Sequence, residues 1–133
     1  MDAWEGWPFA RAYLLLVAAA FALLGLQVFL LHWRGGFRRW TMYIPVLGAP
    51  ALVVAGIAAA AVRDGWIGWL ALAFFGVGIL DGLVGVYEHL RGIGERIGGF
   101  TLRNLMSGPP PILPMMFMAL ATTGLLAIVW GAL

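Results

Sequence analysis

The chain alternates long apolar runs with short stretches that carry nearly all of its charge. A transmembrane helix needs roughly 20 apolar residues to cross a hydrocarbon core of ~30 Å. Four runs reach this length, and hydropathy places them at about 9–32, 43–62, 67–89 and 111–131. The pattern therefore predicts an all-α integral membrane protein, a four-transmembrane-helix up-down bundle that forms a single domain over residues 1–133.

Composition supports the same class of protein. Hydrophobic residues make up 63% of the chain and charged residues only 11%, and the mean hydropathy of +0.97 lies outside the range of soluble globular domains. The net charge of +2 is too small and too dispersed to indicate a nucleic-acid partner. The absence of cysteine excludes disulfides, thiolate metal sites and iron–sulfur ligation.

Arginine positions predict how the bundle is oriented. Most basic residues lie between the first two helices or between the last two: Arg34, Arg38, Arg39, Arg91, Arg96 and Arg103. By the positive-inside rule, loops 33–42 and 90–110 are cytoplasmic and both termini lie outside. All basic residues are arginine in a chain rich in Ala and Gly, which suggests a GC-rich bacterium and hence the bacterial inner membrane.

Tryptophans and a glycine-rich stretch mark the membrane interfaces. Indole rings form aromatic belts at headgroup level, and the tryptophans fall into an outer and an inner group: Trp4, Trp7, Trp66, Trp69 and Trp130, then Trp33 and Trp40. Between helices three and four, apolar residues recur at helical spacing from Leu90 to Phe100, but glycines interrupt them. This stretch is predicted to be a short, partly helical interfacial segment.

The stretch 81–90, DGLVGVYEHL, places three ionisable residues in an otherwise apolar helix. Asp81 lies eight residues before His89, which at 1.5 Å per residue is roughly 12 Å deeper in the membrane. A lone carboxylate at that depth costs several kcal/mol, so Asp81 is expected to face the interior of the bundle. Glu88 and His89 are expected near the cytoplasmic interface.

The two histidines suggest a haem site. Gly25 precedes His32 by seven residues, as Gly82 precedes His89. Helices one and three run in the same direction and lie diagonally in an up-down bundle, so both imidazoles reach one depth. Two axial histidines suit a b-type haem, with glycines giving the porphyrin room and arginines near its propionates. The candidate cofactor-binding residues are His32, His89, Gly25, Gly82, Arg34 and Arg91.

The same histidines and glycines also have simpler explanations than a haem site. Histidine is a common interfacial residue, and Gly-x-x-x-Gly is a common helix-packing device. A non-haem metal bound by His32, His89 and Glu88 ranks lower than haem, because consecutive residues point about 100° apart on a helix. No metal site is therefore assigned.

Asp81 is also a candidate proton or ion site. Its predicted relay partners are Gln27 of the first helix and Glu88 or Tyr87 towards the cytoplasm. The alternative is a structural role, in which the Asp81 carboxyl joins helices by hydrogen bonding to Gln27, Thr122 or Thr123. The sequence leaves both open.

Function is predicted mainly by exclusion. The chain has no nucleophile motif, no phosphate-binding loop with lysine and no HExxH, so catalysis is not the favoured interpretation. The leading prediction is a small subunit or accessory protein of a larger bacterial membrane assembly, with membrane lipids and other membrane subunits or further copies of itself as partners. A b-type haem electron-transfer protein using His32 and His89 is the first alternative. A proton-coupled channel or transporter using Asp81 is the second.

One segment resembles known sequences. YEHLRGIGERIGGFTLRNLMSGPPPILP, from Tyr87 to Pro114, is similar to the second half of small uncharacterised bacterial four-span membrane proteins. They have His-Leu-Arg-Gly, a Gly-Gly pair and Gly-Pro-Pro in similar order. The resemblance implies a membrane protein whose polar corner is a shared feature, and it implies no activity.

Overall fold

The structure, a computed structural model, describes residues 2–130. The helices in chain order are α1 (Phe9–Arg34), α2 (Tyr43–Ala61), α3 (Gly65–Arg96), α4 (Leu102–Ser107) and α5 (Ile112–Trp130), and a single 3-10 turn, Trp40–Met42, leads into α2. The described residues form no strand. All but α4 are long and apolar enough to cross a membrane, which confirms the four predicted helices. The predicted end at residue 131 lies outside the described residues.

The four long helices form a bundle in which α1 and α3 occupy opposite corners. Each of these two helices packs against both α2 and α5. The links 35–39 and 62–64 are short, so α2 must run antiparallel to its sequence neighbours. Residues near the end of α1 and the end of α3 therefore lie at one end of the bundle. This end carries Arg34, Arg38, Arg39, Arg91, Arg96 and Arg103, and we call it the arginine-rich end.

Three phenylalanines fill the centre of the bundle. Phe21 of α1, Phe75 of α3 and Phe117 of α5 are almost completely buried. The ring of Phe21 lies 5.0 Å from that of Phe117 and 6.4 Å from that of Phe75, between centroids. Such aromatic contacts are favourable beyond the area they bury. This aromatic trio joins both diagonal helices to α5 and closes the middle of the bundle.

Glycines let α3 and α5 approach closely. A Cβ added at Gly82 would lie 2.5 Å from Met118 Cβ, and one added at Gly85 would lie 2.7 Å from Pro114 Cβ. These distances are too short for a real side chain, so both positions require glycine at the present helix spacing. Small residues at a membrane helix interface act in this way because backbone contact maximises packing.

The third helix is longer than the sequence predicts. The prediction ended this span at residue 89 and assigned 90–110 to an interfacial segment, but α3 continues to Arg96. Gly92 and Gly94 lie within this last part of α3 without breaking it. Arg91 Nε donates a 2.7 Å hydrogen bond to Glu95 Oε1 one helical turn later, and Ile93 is buried. The helix ends at Arg96, just before Gly98 and Gly99, whose φ angles are +92° and +121°.

At the opposite end of the bundle, the N-terminal segment and the first turn of α1 bind the last turn of α2. Trp4 Nε1 donates to the carbonyl of Ala59 at 2.7 Å, and Arg11 Nε donates to Ala60 at 2.8 Å. Both carbonyls belong to the last turn of α2, where helix acceptors lack intrahelical partners. Trp4, predicted to lie in an aromatic belt, is thus partly buried and caps a helix.

Candidate functional site

A cavity of about 330 Å³ opens inside the arginine-rich end. It lies between α1, α2, α3 and α5, with the link from α4 to α5 along one side. Its walls are mainly apolar and include Val28, Leu31, Val84, Leu113 and Phe117. Its ionisable lining residues are His32, Arg34, Arg39, Asp81, Glu88, His89 and Arg96. We call it the histidine cavity.

The structure brings most of the predicted site residues to this cavity and leaves three outside. His32, His89, Asp81, Glu88, Gly82 and Arg34 line it, whereas Gly25, Gln27 and Arg91 do not. A Cβ at Gly25 would lie 2.6 Å from Ala49 Cβ, so this glycine serves contact between α1 and α2. Gln27 is exposed on the outside of the bundle and is not brought to Asp81 as a relay partner. Arg91 is exposed and paired with Glu95.

His89 is held by the link before α5. Its Nδ1 donates to the backbone carbonyl of Pro110 at 2.8 Å. A carbonyl only accepts hydrogen bonds, so Nδ1 must carry the proton in this arrangement. The neutral imidazole therefore keeps its lone pair on Nε2, which makes no hydrogen bond within residues 2–130. A backbone carbonyl commonly orients a ligating or proton-accepting histidine in this way.

His32 lies in the last turn of α1, beside a strained corner. Gly36 and Phe37 both have positive φ, +74° and +45°, and Phe37 N–H donates to the His32 carbonyl at 3.1 Å. A left-handed Phe costs about 1–2 kcal/mol. Its ring stacks on Tyr43 at 4.5 Å between centroids, which offsets part of that cost. His32 Nδ1 is buried and has no partner within residues 2–130.

Asp81 is the most deeply placed ionisable group of the cavity. Its side chain is buried, and Oδ2 makes no hydrogen bond in the described part of the chain. Oδ2 lies against α2, only 2.8 Å from the position that a Cβ at Gly48 would occupy. Glycine at residue 48 thus makes room for the carboxyl, a fit that sequence periodicity does not reveal.

The hydrogen-bond partners that were predicted for a structural role of Asp81 are wrong. Thr122 Oγ1 donates to the Met118 carbonyl and Thr123 Oγ1 to the Leu120 carbonyl, both at 2.9 Å within α5. Such local bonds satisfy the hydroxyls of threonines inside helices. Neither hydroxyl, nor the exposed Gln27, bonds Asp81.

The cavity stops at Asp81 and Phe117. Beyond them, the aromatic trio and the buried Leu52 fill the bundle. A proton or ligand in this conformation therefore meets Asp81 from the arginine-rich end. Proton transport by Asp81 stays a prediction, and it would need a second arrangement of the helices.

Charges at the cavity fall into a paired and an unpaired group. Arg39 Nη1 donates to Glu88 Oε2 at 2.6 Å, with Glu95 Oε2 4.0 Å from Arg39 Nη2. Arg34 and Arg96 form no ion pair with any residue between 2 and 130. The sequence did not single out Arg39 or Arg96 as site residues. Arg39 and Glu88 are 49 positions apart, so no periodic signal links them.

Among residues 2–130, no three His, Asp or Glu side chains are grouped closely enough to hold a metal ion. The non-haem metal of His32, His89 and Glu88 is therefore not supported, since Glu88 turns towards Arg39.

An apolar cavity with a few convergent polar groups is the usual form of a small-molecule site. Here the polar groups are a fixed imidazole, a second imidazole, a buried carboxyl and unpaired arginines. Their arrangement supports binding, hydrogen bonding and proton exchange. No protein-family model, no curated protein and no solved structure matches this chain.

Proposed function

We propose that this protein is a small membrane subunit whose histidine cavity binds one amphipathic small molecule. The observation that carries the proposal is the convergence of both histidines, Asp81 and Glu88 on one mainly apolar cavity. The volume of about 330 Å³ is at the lower end of the range for ligand pockets, ~300–1,000 Å³. The ligand is therefore small, with one chain or one ring system.

Unpartnered polar atoms argue for an occupant. Asp81 Oδ2 and His32 Nδ1 are buried without hydrogen bonds in residues 2–130. Leaving a buried polar group unsatisfied costs about 1–3 kcal/mol, so such groups are uncommon away from sites. Both belong to residues that line the same cavity, and unpaired buried polar groups collected in one place are typical of a site rather than of a packed core.

Co-purification tests the binding proposal. The protein is purified from its own membranes in a mild nonionic detergent, extracted with organic solvent, and the extract is analysed by mass spectrometry. Leu113→Trp and Val28→Trp fill the cavity from α5 and α1, whereas Leu126→Trp adds the same side chain on the exposed face of α5. We expect one stoichiometric compound in the wild type and in Leu126→Trp, absent from both cavity variants. Identical extracts from all four proteins would contradict the proposal.

The proposed role as a subunit fits a bundle of four spanning helices with a cavity. Four spanning helices leave a modest interior, and this cavity is its main functional feature. The proposal places the protein in a bacterial inner membrane with the arginine-rich end in the cytoplasm. Crosslinking in native membranes should trap a partner or a second copy at that end. A protein that stays a lone monomer in mild detergent and gives no crosslink would contradict it.

A b-type haem is the second candidate, favoured by one observation. The Pro110 carbonyl fixes His89 Nδ1 and leaves Nε2 without a protein partner, as in a ligating histidine. Against it, the predicted space-giving residues Gly25 and Gly82 are occupied by contacts to Ala49 and Met118. Visible spectra of the oxidised and the dithionite-reduced protein show whether it binds haem. A Soret band that is lost in both His32→Ala and His89→Ala would establish haem.

A further inference from the structure

The cavity has an excess of positive charge at its opening. Arg34 and Arg96 line it with exposed side chains and no ion pair in the described chain. Arg39 is neutralised by Glu88 at 2.6 Å. The arginines at the opening therefore favour a negatively charged group and repel an organic cation.

The inner part of the cavity favours an apolar group. Val28, Leu113 and Phe117 supply most of this wall. Asp81 is the exception, but its Oδ2 is turned towards Gly48 of α2. An apolar chain can thus end beside Asp81, where the cavity stops, without displacing the carboxyl.

We infer that the ligand is a single-chain anionic amphiphile, with a phosphate or carboxylate head bound by Arg34 and Arg96 and its chain in the apolar part of the cavity. This inference rests on the proposed function and adds the chemical class of the ligand. Guanidinium groups bind such oxyanions through paired, charge-assisted hydrogen bonds. The source of the ligand is the membrane, because four spanning helices surround the cavity.

The chain offers matched arginines for the test. Arg38 and Arg103 belong to the same end of the bundle and are exposed, but they do not line the cavity. Arg34→Gln and Arg96→Gln remove a cavity charge, and Arg38→Gln and Arg103→Gln remove the same charge elsewhere. The probe is dodecyl phosphate, titrated into protein in a nonionic detergent and followed by native mass spectrometry. Dodecanol serves as the neutral comparison.

Selective loss of dodecyl phosphate binding is the expected result. Each cavity substitution should weaken binding about tenfold or more, because each removes a charge-assisted hydrogen bond. The control substitutions should change binding less than about twofold, as expected for screened surface charges. Equal weakening by all four variants would show general attraction to a basic surface and would overturn the inference.

Two further arms separate this inference from the binding proposal. If dodecanol binds as tightly as dodecyl phosphate and Leu113→Trp abolishes both, the cavity binds a ligand but the anionic class is wrong. If Leu113→Trp affects neither probe, both proposals fail. Inorganic phosphate that competes at the same concentration as dodecyl phosphate would show that the head alone is recognised, which would overturn the amphiphile.

Discussion

Asp81 and Gly48 fit closely together at the inner end of the histidine cavity. The carboxyl of Asp81 is buried without a hydrogen bond in the described chain, and Oδ2 is 2.8 Å from where a Cβ at Gly48 would stand. Burying a carboxyl without a hydrogen-bond partner destabilises the folded protein. A residue with a purely structural role would not need such a group. Gly48 accommodates the carboxyl, so the two residues should be energetically coupled.

A double-mutant cycle measures this coupling. Gly48→Ala alone should destabilise the protein by about 1 kcal/mol, because its methyl group forces the flexible end of the Asp81 side chain to turn away. In an Asp81→Ala background the same substitution should cost much less, since the carboxyl is gone. Stability is measured as the unfolding free energy in detergent. Equal costs in both backgrounds would show that the methyl group meets something other than Asp81.

The two histidines of the cavity should differ in their contribution to stability. His89 Nδ1 bonds the Pro110 carbonyl at 2.8 Å and so ties α3 to the start of α5, whereas His32 Nδ1 has no partner in the described residues. His89→Ala should therefore lower the unfolding free energy by about 1 kcal/mol more than His32→Ala. Denaturant titration of both variants checks this. Equal losses would mean that the hydrogen bond adds nothing net.

Residue-level contacts set the limit of what the sequence could predict. His32, His89, Asp81 and Glu88 stood out because ionisable residues are rare inside apolar helices. Because α1 and α3 run in the same direction, the sequence also predicted that the two histidines lie at the same depth. Gly48 and the Arg39–Glu88 pair depend on how helices are rotated about their axes, which the hydropathy of a single helix does not encode.

At the scale of elements, the close contact between α3 and α5 depends on glycine. A Cβ at Gly82 would lie 2.5 Å from Met118 Cβ and 2.8 Å from Met118 Cα and N. Backbone atoms cannot move aside as a flexible side chain can, so the helices themselves would have to separate. Gly76 of the same helix has no neighbour within 4 Å of an added Cβ and provides a matched control.

Alanine substitutions at these two glycines should have opposite effects. Gly82→Ala should lower stability by about 3 kcal/mol, as expected when extra volume is forced into a packed interface. Gly76→Ala should leave stability unchanged or raise it by up to about 1 kcal/mol, because alanine favours helix over glycine. Thermal unfolding in detergent measures both. Similar midpoints for the two variants would contradict the close α3–α5 contact.

The four spanning helices could largely be predicted from the sequence, but the C-terminal end of α3 could not. The free energy of moving a segment from water into the membrane depends on the residues of that segment alone. Hydropathy could therefore identify the four spanning helices. Hydropathy predicted that the third span ends at residue 89 and is followed by a partly helical segment, but α3 continues to Arg96, with Ile93 buried in its last turn. Ile93 is held by the link before α5, a contact distant in sequence.

At the scale of the whole molecule, the two ends of the bundle differ. The arginine-rich end contains the cavity, while at the other end Trp4 and Arg11 donate hydrogen bonds to the last carbonyls of α2. A ligand from the membrane therefore reaches the cavity at the arginine-rich end. The compartment that the arginine-rich end faces determines which molecules can reach the cavity. By the positive-inside rule, the arginines predict that this compartment is the cytoplasm.

Cysteine labelling tests this orientation cleanly, because the chain contains no cysteine of its own. Asp64→Cys places a thiol on the exposed link between α2 and α3, and Ser107→Cys places one at the exposed end of α4. A membrane-impermeant maleimide added to intact spheroplasts should label Asp64→Cys and spare Ser107→Cys. Lysis should then expose Ser107→Cys, which controls for its reactivity. The reverse pattern would place the histidine cavity on the outer side, where an anionic ligand would have to come from the outer leaflet of the membrane.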